Sequence, residues 1–166
     1  MRRLILLRHA KSDYPPGVPD HDRPLAERGR RDAPAAGEWI AEHVGDVNLV
    51  LVSSAVRAQQ TWALASPGVR VTDAVVTEPG IYEAPTAALV RIVQGLPDAA
   101  STVVLVGHNP GLEDLAARLA VDGDPDALGR MALKYPTSGI AALEAPGTWR
   151  DLVHGARLSD FAVPRG

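Results

Sequence analysis

Short runs of β-branched residues and leucine alternate along this chain with longer alanine-rich stretches. Leu4–Leu7, Val47–Val52, Val69–Val76 and Thr102–Val106 predict strands, several of them apolar at consecutive positions. A strand without polar alternation is covered on both faces, the mark of a parallel sheet lying between helices. Leu25–Val44, Ala55–Ala65, Thr86–Leu96 and Pro110–Ala120 predict the intervening helices. In the first, Leu25, Gly29, Ala33, Ala36, Ile40 and Val44 recur at three- and four-residue steps and mark one buried face. Pro34 lies inside it, so the helix either kinks there or restarts with Asp32 as N-cap. The pattern predicts an α/β three-layer sandwich, with a mainly parallel central sheet and helices on both faces.

The boundaries carry their own signals. Asn109 followed by Pro110 predicts a capped start for the fourth helix, and Ser53 or Ser54 a cap for the second. After Asp122-Gly-Asp-Pro-Asp126 the pattern changes. Ser138–Leu143 and Trp149–Val153 read as two strands joined through Ala145-Pro-Gly-Thr148, a hairpin at a sheet edge. Lys11–Pro24 is long and proline-rich, and its place after the first strand predicts that it borders a site. No repeat, heptad or low-complexity tract interrupts residues 1–166, which read as one domain.

Composition narrows the chemistry. A net charge of -3 and a pI near 5.9 argue against nucleic-acid binding by bulk electrostatics. With no cysteine, disulfides, thiolate metal sites and cysteine nucleophiles are excluded. Lysine occurs only at Lys11 and Lys134, so positive charge is almost all arginine, which suits forked recognition of oxyanions. The start, Met1-Arg-Arg-Leu-Ile-Leu-Leu-Arg8, is too short in its apolar part for a signal peptide. No stretch approaches a membrane span. A soluble cytoplasmic protein is expected, with no membrane partner.

Three strand ends carry candidate chemistry. Arg8-His9 follows the first strand; an arginine there needs an anion, and it pushes the neighbouring imidazole toward its neutral, nucleophilic or metal-ligating form. Alone, the pair could equally be a structural histidine beside a surface arginine. Ser53-Ser-Ala-Val-Arg57 follows the second strand and sets an arginine in the first turn of a helix, where anions are attracted. Gly107-His108-Asn-Pro-Gly111 follows the fourth, again at a helix start. In a parallel sheet all three reach the same edge, where open α/β sheets bind ligands.

Leu7-Arg8-His9-Ala10-Lys11, Ser53-x-x-x-Arg57-Ala-x-Gln-Thr61 and Val106-Gly107-His108 occur in the order and spacing of the histidine phosphatase superfamily, which shares the phosphoglycerate-mutase-like fold and the Arg-His-Gly (RHG) motif. The chain resembles the short SixA-type phosphohistidine phosphatases most, through its small size and the Asp22-Arg23-Pro24-Leu25-x-x-x-Gly29 lead into the first helix. The resemblance runs from Leu4 to about Leu143. It implies a metal-independent phosphatase, without cofactor, in which His9 becomes a transient phosphohistidine. Arg8, Arg57 and a protonated His108 would hold the phosphoryl oxygens. Ala10 departs from the motif glycine. The general acid that family members acting on phosphomonoesters place after the third strand would be Glu78 or Glu83, if present. A poor acid is tolerable for phosphohistidine, whose protonated imidazole leaves already neutral, and costly for an alkyl phosphate.

Lys11 and Ser12 lie close enough in sequence to His9 to be candidate phosphate contacts. His21, His43 and His154 lack a motif and read as surface or structural, and Trp39 and Trp62 as core. The expected substrate is a phosphorylated protein bearing phosphohistidine, met in an open pocket by a monomer. The alternatives are a small-molecule phosphomonoesterase of the same superfamily, with a small phosphorylated substrate, and a phospho-recognition module without turnover.

Overall fold

Leu4 and Leu6 belong to one apolar core and Ile5 and Leu7 to another, so the first strand is the wall between them. In the computed structural model, which describes residues 1–166, this strand is β1 (Arg2–Arg8). The other strands are β2 (Val47–Ser53), β3 (Val71–Glu78), β4 (Thr102–Gly107), β5 (Ala120–Gly123), β6 (Ile140–Ala145) and β7 (Ala156–Ala162). They form one sheet of order β3-β2-β4-β1-β6-β7-β5. Only β6 is reversed: it pairs antiparallel with β1 and β7, while all other pairings are parallel.

The helices divide between the two faces as the unbroken apolar strands require. On one side α1 (Glu27–His43) and α2 (Val56–Ala65) cover Ile5, Leu7, Val50, Val52, Val104 and Val106 with Ala36, Ile40, Ala58 and Trp62. On the other, α3 (Thr86–Gln94), α4 (Gly111–Leu119), α5 (Pro125–Leu133) and α6 (Trp149–Leu152) pack on Leu4, Leu6, Val103 and Leu105. The predicted sandwich with a mainly parallel sheet is therefore the observed one. No helix is long and apolar enough to cross a membrane.

Four local expectations change. Of the predicted strand Trp149–Val153, Trp149–Leu152 is helical, because Thr148 and Asp151 form a reciprocal capping box and the Trp149 indole N–H donates to the Ala100 carbonyl at 3.0 Å. The strand follows instead at β7. With β7 on its far side, β6 is interior and buried, not the edge of a hairpin. The fourth helix stops at Leu119, since Ala120 begins β5, which pairs with β7; Asp124 then caps α5, its carboxylate accepting the Ala127 N–H. Neither Asn109 nor a serine caps the helices assigned to them: Asn109 Nδ2 donates to the Tyr135 carbonyl, and Ala55 is the N-cap of α2.

α1 runs through Pro34 without restarting, and Asp32 is not a cap but a buried carboxylate facing Arg28 and Arg165. Its contact with α2 depends on Gly37, where a Cβ would overlap the Ala65 carbonyl. Gly29 likewise lies against the Lys11 carbonyl and lets the chain after β1 fold back on α1. Gly37→Ala is expected to destabilise by about 2 kcal/mol through overpacking at the α1–α2 crossing. Urea denaturation checks this: an unchanged midpoint would mean that the helices separate at no cost.

Candidate active site

Because β1, β2, β3 and β4 are parallel, their carboxyl ends share one edge. Register then decides what meets there. Arg8 pairs with Gly107, so the next residues, His9 and His108, leave the sheet side by side with ring centroids 5.2 Å apart. Ser53 pairs with Glu78 one strand further over and accepts or donates at His108 Nε2, 2.7 Å away.

The side chains between these ends explain the sequence run around Arg57. The Ala10 N–H donates to Thr61 Oγ1 at 2.9 Å, and the same hydroxyl donates to the Arg57 carbonyl at 2.7 Å. Thr61 thus ties the chain after His9 to the first turn of α2. Gln60 accepts the Leu25 N–H, and Gln59 donates to the Ser53 carbonyl. Opposite them, the Ser138 N–H is shared by the carbonyls of Arg8 and His9, both at 3.1 Å, with Ser138 held at a positive φ of 61°. A buried serine in that conformation is strained and marks a position the surroundings over-determine.

His9 is 6% exposed. Its Nδ1 lies 2.7 Å from the Ala10 carbonyl, which can only accept, so Nδ1 carries the proton and Nε2 keeps the lone pair. Burial pushes the His9 pKa down to about 3, with His108, Arg57 and Arg8 adding to the depression against the Ala10 bond. Burial, then Arg57, lowers His108 to about 4. Both imidazoles are neutral at pH 7, so the expectation of a protonated His108 is not met in the free protein; desolvation outweighs the nearby Asp20 carboxylate. Buried polar atoms without partners collect at this edge: Arg8 Nε, Arg57 Nε, His108 Nδ1, Asn109 Oδ1 and Ser138 Oγ. Such groups concentrate where a protein binds something polar.

A cavity of about 440 Å³ opens beside His108, with Arg57, His108, Tyr82, Glu83 and Asp20 in its wall; His9, buried behind His108, and Arg8 do not line it. Asp20 comes from the loop after β1, which borders the site as its position predicts. Its carboxylate accepts from Tyr82 OH at 2.5 Å, Arg23 Nε at 3.0 Å and Arg57 Nη2 at 3.2 Å, and its carbonyl accepts from Arg57 Nη1 at 2.8 Å. The Tyr82 hydroxyl, then Arg23 and Arg57, hold this carboxyl well below the usual carboxylate range. Tyr82 also packs edge-on against His108 and His21, and His21 Nε2 lies 2.9 Å from Ser54 Oγ, so His21 belongs to the rim. Asp20 and Tyr82 were not singled out in the sequence. The Asp20-x-x-Arg23 spacing and the tyrosine between two candidate acids were the available signals.

Other candidates lie differently. Glu78 accepts the Gly80 N–H at 3.2 Å and is not in the cavity wall, whereas Glu83 is. Ser12 is buried and accepts from Arg23 Nη1, fastening the loop. Arg8 Nη1 donates to the Tyr135 carbonyl, and Arg8 and Lys11 line a second, smaller cavity. Trp62 is core, while Trp39 is partly buried against that core and stacks on His43. No group of three or more histidine and carboxylate side chains is placed to hold a metal ion.

Residues 4–86 match the model of the histidine phosphatase superfamily, branch 1. An uncharacterised Mycobacterium tuberculosis protein is 41% identical over 162 residues, covering 96% of this chain and all of its own length. A Nakamurella multipartitia protein provisionally named as the phosphohistidine phosphatase SixA superposes with a TM-score of 0.83 at 32% identity, over 98% of this chain and 96% of that one. Its provisionally named counterpart from Agrobacterium tumefaciens gives 0.79 at 30% identity, over 98% and 99%.

The depressed pKa values predict how stability responds to acid. Between pH 6.5 and about 4 the unfolded chain binds protons at both histidines and the folded chain does not. Their contribution is complete above 6.5 and is lost as pH falls, by at most about 1.4 kcal/mol per pH unit for each. Chemical denaturation of His108→Asn should show a shallower dependence over that window than the wild type. An identical slope would mean that His108 is not buried neutral.

Proposed function

The chain belongs to the histidine phosphatase superfamily, and on that premise we propose that it hydrolyses phosphohistidine in a protein through a phosphorylated His9. The supporting observation is the buried, neutral His9, its Nδ1–H held by the Ala10 carbonyl and its Nε2 keeping the lone pair, beside a His108 that shares a cavity wall with Arg57 and the Asp20 carboxylate paired to it. His9 Nε2 attacks phosphorus in line. The bond to the substrate nitrogen breaks with its electron pair going to the imidazole, which leaves neutral if its other nitrogen already carries a proton. Arg57, Arg8 and His108 hold the oxygens as charge spreads over them. Water then attacks phosphorus, the electron pair of the P–Nε2 bond returns to His9, and the proton departs with phosphate.

Asp20 fits this substrate. A carboxylate pinned by Tyr82, Arg23 and Arg57 stays ionised at neutral pH and has no proton to give as a general acid, yet it can accept the ring N–H of a departing imidazole. Beside an alkyl phosphate the same charge only repels. Asp20, Tyr82 and the exposed Glu83 line a mouth open to solvent, which suits an imidazole presented on a protein. Glu83 in the cavity wall is the one observation that favours a small-molecule phosphomonoesterase, for which it would be the acid.

The deciding experiment is metal-free single-turnover hydrolysis of a phosphohistidine peptide and an alkyl phosphate in parallel, with His9→Ala as control. Loss from the peptide alone, abolished in the variant, is expected. Comparable rates on both substrates would transfer the assignment to the phosphomonoesterase, and binding without turnover to a recognition module. A second expectation concerns specificity. Asp20→Asn should lower peptide turnover relative to an aryl phosphate by about tenfold, the worth of one charge-assisted hydrogen bond. An equal fall on both would show that Asp20 only orients Arg57.

A further inference from the structure

The two lysines of this chain lie far apart in sequence, yet they meet. Lys11, from the loop after β1, and Lys134, from the end of α5, line one cavity of about 220 Å³ with Arg8, Arg28 and Arg165; the rest of its wall is Pro136 and Thr137. Five cationic side chains therefore face a space with no hydrophobic side chain in its lining. Two carboxylates answer them: Asp32, which is buried and already shared, 3.4 Å from Arg28 Nε and 3.5 Å from Arg165 Nη1, and Glu113, whose charge acts on Arg8. Neither lysine side chain enters an ion pair or hydrogen bond. Arg8 spends Nη1 on the Tyr135 carbonyl and leaves Nε buried without a partner.

A local surplus of this kind in a protein of net charge -3 is an arrangement, not a by-product of overall charge. Concentrating like charges around a concave space raises its free energy unless an anion is there to meet them. The donors are of two kinds. Arginine forks match the geometry of tetrahedral and planar oxyanions, while lysines act as mobile point charges. The cavity has about half the volume of the one beside His108 and shares no lining residue with it. Arg8 is the link, since it lines the cationic cavity and directly precedes His9.

We propose that this cavity is a second phosphate site, adjoining the one at Arg57 and His108 through Arg8, which binds either free inorganic phosphate or a second phosphoryl group carried by the ligand. The proposal does not depend on which phosphorylated compound is hydrolysed. It predicts two phosphates per chain, one at each cavity.

Lys134 is exposed, follows the last turn of α5 and has no partner to lose, so its replacement tests the site without disturbing the fold. Calorimetric titration with inorganic phosphate at low ionic strength should show two binding events in the wild type. Lys134→Glu should weaken one event by about tenfold, near the sum of losing one exposed charge contact and adding a repulsion. Lys134→Arg should keep both events, and Arg57→Ala should remove only the other one. A single phosphate per chain in the wild type, or two unchanged events in Lys134→Glu, would overturn the proposal. Turnover separates the two sources. If KM of Lys134→Glu rises for an aryl phosphate carrying a second phosphoryl group but not for the simple aryl phosphate, the site takes a substrate-borne phosphoryl group. If it rises for neither while one binding event is lost, the site takes free phosphate.

Discussion

The register between β1 and β4 is the constraint on which the rest of the site depends. Pairing Arg8 with Gly107 sends His9 and His108 out of the sheet at the same level, and the strands' common direction sends Arg57 after them from β2. A slip of one residue would turn each side chain to the opposite face and exchange the two cores along with the site. The apolar residues on both sides of β1 therefore secure the chemistry as well as the fold. Leu4 and Leu6 cannot trade places with Ile5 and Leu7 without opening both cores.

Around that register, hydrogen bonds lock the strand ends together. Thr61 joins the chain after His9 to α2, Ser138 joins β1 to the segment before β6, and Ser53 joins β2 to His108. These contacts hold the histidines where water is scarce, and desolvation then does what no single neighbour does, keeping both rings neutral beside two arginines. Electrostatics is divided across the edge. Asp20 offsets Arg57 on one side, and on the other Arg8 joins four further cations with one buried carboxylate among them.

The strand and helix pattern of the first 119 residues was legible in the sequence, because each element has enough apolar residues at a single period to declare itself. β3 was legible as a strand but not as an exposed edge; its valines read as buried, yet Val75 and Val76 are exposed. The region after Leu119 was read less well. Ala120–Gly123 is too short to show a period, and Trp149–Leu152 owes its helix to one capping box and to an indole seated under Pro97 and Ala100. Both are decided by partners elsewhere in the chain.

Arg8 and His9 were visible at a strand end, and Arg57 and His108 where a strand end leads into a helix, all local signals. What the sequence alone determined is thus the alternation that makes a two-faced parallel sheet and the cations that its edge presents. Only the tertiary structure decided how those cations are used. The Asp20 carboxylate on Arg57, the neutral state of His108, and the meeting of Lys11 with Lys134 all follow from distances between distant segments and from the exclusion of water. Neither quantity is written in any local run of residues.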